Sequence, residues 1–123
     1  MSNSLLNGTW YSAVGSKLVL EVNGTEITGK FDSTQDPGAF VPVRGVVADV
    51  TEGSDFIPMA FTASWPGGDG YSPSVTSYTG QYTEENGVEK IETIFLLADQ
   101  EQSTVLWRFS RISSDVFTRR KSK

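Results

Sequence analysis

The chain of 123 residues is acidic, with a formal net charge of −5 and a calculated isoelectric point of about 4.6. It contains no cysteine and no histidine, which excludes disulfide bonds, thiol nucleophiles, imidazole bases and the usual zinc, copper and haem ligands. Lysine and arginine are scattered except in the basic tail RRKSK at 119–123. The sequence therefore offers no basic face and predicts no nucleic-acid partner.

The length fits a single domain spanning residues 1–123. The first residues, MSNSLLNGTW, lack the basic start and the apolar core of a signal peptide. No apolar run approaches the ~20 residues that a membrane-spanning helix needs, so we expect a soluble protein with no membrane partner. The same N-terminus fits a cytoplasmic protein and a secreted protein whose signal was removed, and localisation stays open.

Short segments in which apolar and polar residues alternate run along most of the chain, and helical periodicity is almost absent. In the second segment Leu18, Leu20 and Val22 share one face, and the Asn23-Gly24 pair that follows is typical of a hairpin turn. The pattern predicts eight strands, at 9–13, 17–22, 26–31, 41–50, 56–65, 74–83, 88–98 and 104–111, with a further turn at 85–87. This spacing is typical of a sandwich or barrel, and we predict an all-β, antiparallel, up-and-down architecture.

The segment SPSVTSYTGQY at 72–82 carries polar groups on both faces, with Ser74, Thr76 and Tyr78 on one of them. If these side chains point inward, their hydroxyls need partners, because an unpaired buried hydroxyl costs ~1–3 kcal/mol. A polar ligand, solvent or nearby backbone would each supply such partners. Four aromatic residues lie on separate predicted strands and either wall one cavity or fill the core: Trp65, Tyr78, Phe95 and Trp107.

The Gly8-Thr9-Trp10 triplet matches the G-x-W start shared by lipocalins, fatty-acid-binding proteins and avidins. Several segments in the right order resemble the avidin and streptavidin family specifically: GTWYSAVGS at 8–16, TGKFDS at 28–33, FTASW at 61–65, TSYTGQY at 76–82, IETIFLL at 91–97, LWRFSR at 106–111 and DVFTR at 115–119. The resemblance covers a core of about 8–119. It implies an eight-stranded antiparallel up-and-down β-barrel that holds one biotin at its open end, with no enzymatic activity and no cofactor.

The resemblance also implies roles for individual residues. Ser16 matches the serine that donates a hydrogen bond to the ureido oxygen of biotin, and Ser33 and Asp115 match the acceptors of the two ureido N–H groups. The remaining matches are Thr76 facing the sulfur, Ser74 near the carboxylate, Trp65, Tyr78, Phe95 and Leu97 as pocket walls, and Trp10 as the structural tryptophan at the barrel base.

Two positions in the ureido pocket depart from the family pattern. Ser12 stands where the family usually has Asn, and Phe31 stands where it usually has Tyr. Ser12 reaches less far, and Phe31 has no hydrogen-bond donor. A hydrogen bond contributes ~0.5–1.5 kcal/mol net, and a buried acceptor that lacks a hydrogen-bond donor costs ~1–3 kcal/mol. The loss of one or two donors therefore predicts biotin binding that is weaker by roughly one to four powers of ten.

Other functions stay open alongside biotin sequestration. An avidin-like barrel whose pocket has diverged from the family would bind another small polar ligand, or a carbohydrate stacked on Trp65 and Tyr78. A lipocalin-like apolar site is disfavoured, because four polar residues would be costly to keep in a dry apolar pocket: Ser12, Ser16, Ser33 and Asp115. Isolated Asp and Ser residues without a base or a metal indicate no enzymatic mechanism.

Trp107 and Asp115 each allow two interpretations. Trp107 alternates with Val105 and Phe109, and this apolar face either fills the barrel or, as the resemblance implies, lets Trp107 cross a subunit boundary and cap a neighbouring pocket. The second interpretation predicts a homotetramer first and a homodimer second. Asp115 is either the ligand acceptor or a turn or cap residue near the end of a strand.

Overall fold

The computed structural model describes residues 4–32, 40–50, 54–67, 73–99 and 110–120. The elements are a short 3-10 helix Ser4–Leu6 and the strands β1 Gly8–Tyr11, β2 Lys17–Asn23, β3 Glu26–Asp32, β4 Phe40–Val47, β5 Phe56–Trp65, β6 Ser74–Glu85, β7 Val88–Asp99 and β8 Ser110–Thr118. Each strand pairs antiparallel with the next, and β8 pairs with β1 to close the barrel. The predicted eight-stranded, all-β, up-and-down barrel is confirmed.

Alternation along each strand fills the barrel interior. In β2, Leu18, Leu20 and Val22 are buried while Glu21 between them is exposed, as the sequence pattern predicted. Successive side chains of a strand point to opposite faces, so one face of every strand contributes to the core. Burying one aliphatic side chain of this size contributes about 1.5–3 kcal/mol, and this repeated burial holds the strands in register.

Both predicted hairpin turns are present with two residues each: Gly24 and Thr25 between β2 and β3, and Asn86 and Gly87 between β6 and β7. Asn23 pairs with Glu26 across the turn between β2 and β3, where Gly24 has a φ of 64°. Between β6 and β7, Asn86 and Gly87 have φ values of 53° and 81°. The second turn therefore has the two successive residues with positive φ that a type I′ hairpin requires, and asparagine and glycine reach that region at the lowest cost.

The last strand differs from the prediction. The described strand β8 begins near the end of the predicted segment 104–111, and residues 104–109 lie outside the described part of the chain. Asp115 lies in the middle of β8, opposite Thr93 of β7, so its interpretation as a turn or cap residue is wrong. A polar side chain on the same face as the buried Phe117 interrupts the apolar alternation, and for that reason the sequence pattern showed no strand there.

Trp10 occupies the end of the barrel where the 3-10 helix lies. Its side chain is fully buried, and its indole N–H donates a hydrogen bond of 2.9 Å to the carbonyl oxygen of Leu6. The guanidinium of Arg119 lies 3.7 Å from the centre of the indole ring, and Tyr82 meets the same ring edge-on at 6.1 Å. Trp10 therefore packs under the barrel base, as the resemblance implied.

Arg119 reinforces the seam between the first and last strands. β1 meets β8 at the pair Tyr11 and Thr118, which is a short ladder for closing a barrel. Arg119 donates hydrogen bonds to the carbonyl oxygens of Leu5, at 2.6 Å, and Asn7, at 3.0 Å. These contacts connect the end of β8 to the segment before β1.

Among the described helices, none is long and apolar enough to cross a bilayer.

Candidate functional site

The end of the barrel away from Trp10 gathers the residues that the sequence assigned to a ligand site. β1, β3, β5 and β7 finish at this open end, and β2, β4, β6 and β8 start there. The pairing register joins Trp65 with Ser74, Thr76 with Leu97, and Tyr78 with Phe95. Two of the predicted site residues, Ser33 and Trp107, lie outside the described residues.

The connection between β1 and β2 is a tight turn that carries two buried serines, Ser12 and Ser16. The Ser12 N–H donates to the Ser16 carbonyl at 2.9 Å, and the Gly15 N–H donates to the Ser12 carbonyl at 3.0 Å. Gly15 has a φ of 91°, a conformation that favours glycine. This turn ends β1 at Tyr11, two residues before the predicted boundary, and presents both serines at the open end.

The Ser12 hydroxyl has a defined direction as a hydrogen-bonding group. Its oxygen accepts a hydrogen bond of 3.0 Å from the backbone N–H of Ser16. Among the described residues, no acceptor takes the proton of this hydroxyl. A serine hydroxyl has one proton to donate, so within the described residues the Ser12 proton is available for a further acceptor.

Thr76 is arranged in the same way on β6. Its side chain is buried, and its hydroxyl oxygen accepts a hydrogen bond of 3.0 Å from the indole N–H of Trp65 on β5. No described residue accepts the Thr76 proton. The bond from Trp65 holds the Thr76 hydroxyl oxygen in place and leaves its proton available, while the Trp65 ring remains half-buried at the open end.

A cluster of aromatic rings forms the floor of the open end, with Tyr78 at its centre. The Tyr78 ring stacks on Phe61 at 4.7 Å and on Phe31 at 5.9 Å between ring centres, and Phe95 lies 5.3 Å away. Phe117 packs edge-on against Tyr78 at 5.9 Å. Contacts of this geometry stabilise a pair by about 0.5–1.5 kcal/mol beyond burial, so the floor is held in one arrangement.

Phe31 belongs to the same floor and also reaches the wall. Its ring meets Trp65 edge-on, with 5.3 Å between ring centres. Because Phe31 is buried and surrounded by rings, this position contributes shape without a hydrogen bond. The departure at position 31 is therefore accommodated by packing.

Asp115 brings a carboxylate to the same region. The side chain is half-buried, and its Oδ1 accepts a hydrogen bond of 2.9 Å from the N–H of Val116. Burial raises the pKa of the Asp115 carboxyl above its usual value, and hydrogen bonds from the N–H groups of Val116 and Ala13 partly offset this rise. The bond from Ala13 connects Asp115 to the turn that carries the two serines.

Sequence analysis missed residues that contact Asp115 and Tyr78 and hold them in place. Thr93 is buried on β7, and its hydroxyl donates a hydrogen bond of 2.9 Å to the carbonyl oxygen of Asp115. Phe61 and Phe117 are core members that hold the Tyr78 ring. Phe61 was assigned to a strand face but not to the site, and Thr93 gave no sequence signal because a single threonine in a strand is common.

These features define a closed eight-stranded barrel whose interior is aromatic at mid-depth and lined at one end with hydroxyls and a carboxylate, the class of barrel that holds a small ligand in its mouth. Residues 1–120 match the family model described as the Avidin family. The chain belongs to the avidin family. Comparison with curated proteins gives no match.

Proposed function

We propose that this protein is a non-enzymatic biotin-binding protein that sequesters biotin in the open end of its barrel. Membership of the avidin family supports this function. The observation that carries the proposal is the set of groups at that end: Asp115 is an anchored acceptor, and the Ser12 hydroxyl accepts the Ser16 N–H and, among the described residues, keeps its own proton for a ligand. A cyclic urea needs acceptors for its N–H groups and donors for its oxygen.

The proposed roles follow the resemblance residue by residue. Ser12 and Ser16 donate to the ureido oxygen, while Ser33 and Asp115 accept from the ureido N–H groups. Around them are Thr76 at the sulfur, Ser74 at the carboxylate, Trp65, Tyr78, Phe95, Leu97 and Phe31 as walls and floor, and Trp107 as a lid contributed by a neighbouring subunit.

A second candidate is an avidin-like pocket that prefers another small polar ligand or a carbohydrate. The observation in its favour is Phe31, which is buried among rings and gives the pocket no donor on β3. A carbohydrate would stack on Trp65, whose ring is half-buried. Both candidates use the same end of the barrel, and the response to biotin separates them.

Thermal unfolding with and without biotin tests the proposed function. A ligand that binds only the folded state stabilises it by RT ln(1 + [L]/Kd), which is about 4 kcal/mol at a thousand-fold excess over Kd. We expect a clear rise in Tm with biotin and none with lipoic acid, a sulfur-containing carboxylic acid that lacks the ureido group. An unchanged Tm at millimolar biotin would contradict the proposed function and favour the second candidate, a pocket that prefers another ligand.

Replacement of Asp115 by Ala is expected to weaken biotin binding by ~1–3 kcal/mol, because a ureido N–H loses its buried acceptor. The raised pKa of Asp115 adds a pH signature. Below that pKa the carboxyl is protonated and accepts more poorly, so biotin affinity of the wild type falls as the pH is lowered, and the variant loses this dependence. Titration calorimetry measures both effects.

The matched control for Asp115→Ala is Asp49→Ala, which removes an exposed carboxylate outside the site. The control is expected to bind biotin with wild-type affinity. If Asp115→Ala also kept wild-type affinity, Asp115 would have no place in the ligand site.

We also propose that the barrel self-associates, as a homotetramer first and a homodimer second. The outer wall formed by β7 and β8 carries three exposed apolar side chains: Ile94 is 65 %, Leu96 44 % and Ile112 73 % exposed. Leu96 and Ile112 are directly paired across the two strands, so the three form one surface. A contiguous apolar patch is typical of a protein interface.

Replacement of Trp107 by Lys is expected to loosen the assembly and to weaken biotin binding by about ten-fold or more, because a lid that covers the ligand with a large apolar side chain contributes on the order of 1.5–3 kcal/mol. Ile94→Lys tests the outer wall directly and should shift the assembly toward smaller species. Val46→Lys, at an equally exposed apolar position on β4 (61 % exposed), is the matched control and should leave the assembly intact. Light scattering measures the mass, and a monomeric wild type contradicts the proposal.

A further inference from the structure

The hydroxyl of Tyr78 is a polar group that the assigned roles do not use. The Tyr78 side chain is only 6 % exposed, and no described residue hydrogen-bonds to its hydroxyl. Every fully buried side-chain nitrogen and oxygen in the described part of the chain has a partner. The Tyr78 hydroxyl is therefore a polar group in the barrel interior that no described residue uses.

Tyr78 lies on the same side of the barrel interior as Asp115. Tyr78 is paired with Phe95 on β7, which is paired in turn with Ser113 on β8. The Tyr78 ring packs against Phe117, 5.9 Å between ring centres, and Phe117 lies two residues after Asp115 on the same face of β8. Burial, together with the negative charge of Asp115, raises the pKa of Tyr78 above its ordinary value, so the phenol keeps its proton.

A protonated phenol and a carboxylate on the same side of the interior supply a donor and an acceptor to one ligand. Such a pair matches a ligand group in which a carbonyl oxygen lies next to an N–H, as in a cyclic urea or a lactam. The neighbouring ring of Phe31 stacks on Tyr78 with an angle of 27° between the ring planes, and it carries no hydroxyl. Of these two stacked rings, only Tyr78 can therefore donate a hydrogen bond to a ligand.

We propose that Tyr78 determines specificity by donating its hydroxyl proton to the carbonyl oxygen of a cyclic urea whose N–H is accepted by Asp115. The inference rests on the proposed function, because it assigns the third donor to the ureido oxygen of biotin after Ser12 and Ser16. The donor that Phe31 lacks is supplied from β6. In this arrangement Tyr78 is a hydrogen-bonding residue of the site as well as one of its walls.

The test is a comparison of two variants with two ligands by titration calorimetry. The ligands are biotin and its analogue with sulfur in place of the ureido oxygen, which is a much poorer hydrogen-bond acceptor. Tyr78→Phe removes the hydroxyl and keeps the ring. We expect this variant to bind biotin roughly ten-fold more weakly and to bind the sulfur analogue within about two-fold of the wild type.

The matched control is Tyr11→Phe, which removes a hydroxyl from β1 outside the site and is expected to change neither affinity. Equal losses for the two ligands in Tyr78→Phe would mean that Tyr78 acts only as a wall, and no loss for biotin would mean that its hydroxyl makes no contact with the ligand. Either result overturns the proposal. The sulfur analogue makes this readout specific, since a general disturbance of the pocket weakens both ligands.

A second measurement keeps the inference separate from the proposed function. If the wild type does not bind biotin, the proposed function fails, and the bare cyclic urea imidazolidin-2-one then serves as the probe. Its titration into protein labelled with carbon-13 at the tyrosine hydroxyl-bearing carbon should shift the Tyr78 signal and not the Tyr11 signal. An unmoved Tyr78 signal at saturating probe overturns the inference as well.

Discussion

Replacement of Trp10 by Ala is expected to lower the free energy of unfolding by about 3–5 kcal/mol, the range for removing a large aromatic side chain from a core. Trp10 is fully buried and has specific partners on both sides: its indole N–H bonds to Leu6, and Arg119 covers its ring. Domains of this kind have about 5–15 kcal/mol in total, so the variant would lose a large part of its stability.

The loss extends beyond the cavity, because Trp10 and Arg119 act at the seam where β1 meets β8. Arg119 also forms an ion pair of 3.3 Å with Glu89, and Glu89 accepts a hydrogen bond of 2.8 Å from the Tyr82 hydroxyl. Removing the indole takes away the surface on which Arg119 lies. The contacts between Arg119 and the carbonyl oxygens before β1 would then hold the seam less firmly.

Urea denaturation followed by circular dichroism measures the change, with the slope m as a check that the unfolded state is unaltered. Trp10→Phe is the matched variant, since it keeps a buried ring and loses the N–H and part of the volume. It is expected to cost less than the alanine variant and to remain folded if the latter does not. A cost below about 1 kcal/mol for Trp10→Ala would show that the barrel base does not depend on this residue.

The barrel itself was predictable because its signals are local. Leu18, Leu20 and Val22 follow the period of two that a half-buried strand imposes, and Asn86-Gly87 has the residues that a type I′ turn demands. Residues 112–118 of β8 were missed for a physical reason. Its inward face carries Asp115 beside Phe117, and the hydrophobic pattern that identifies a strand is absent where a polar group points inward.

The chemistry of the site was predictable only in part. Sequence similarity indicated that Thr76 belongs to the site, but only the pairing of β5 with β6 shows that Trp65 directs its hydroxyl. The contact between Trp10 and Arg119 joins the two ends of the chain, and no local pattern contains it. Hydrogen-bond direction depends on partners that the fold brings together, so residue types alone do not determine it.

The last prediction concerns the two positions that depart from the family pattern. The double change Ser12→Asn with Phe31→Tyr is expected to tighten biotin binding by at least about ten-fold, since a donor gained by a buried acceptor contributes on the order of 1–2 kcal/mol. The donors would be preorganised in a site that is shielded from water, so little ordering is lost on binding. Titration calorimetry by displacement of a weaker ligand measures the gain.

The single variants Ser12→Asn and Phe31→Tyr measure how much each position contributes to this gain in biotin affinity. The structure predicts unequal contributions. Asn at position 12 extends the reach of the turn, and its side-chain oxygen can take over the bond that Ser12 accepts from Ser16. Tyr at position 31 places a hydroxyl next to Tyr78, whose ring is 5.9 Å away. If Tyr78 already donates to the ureido oxygen, Phe31→Tyr adds little in the wild type and restores affinity in the Tyr78→Phe background. Equal biotin affinity in the double variant and the wild type would mean that the ligand oxygen lies away from both positions.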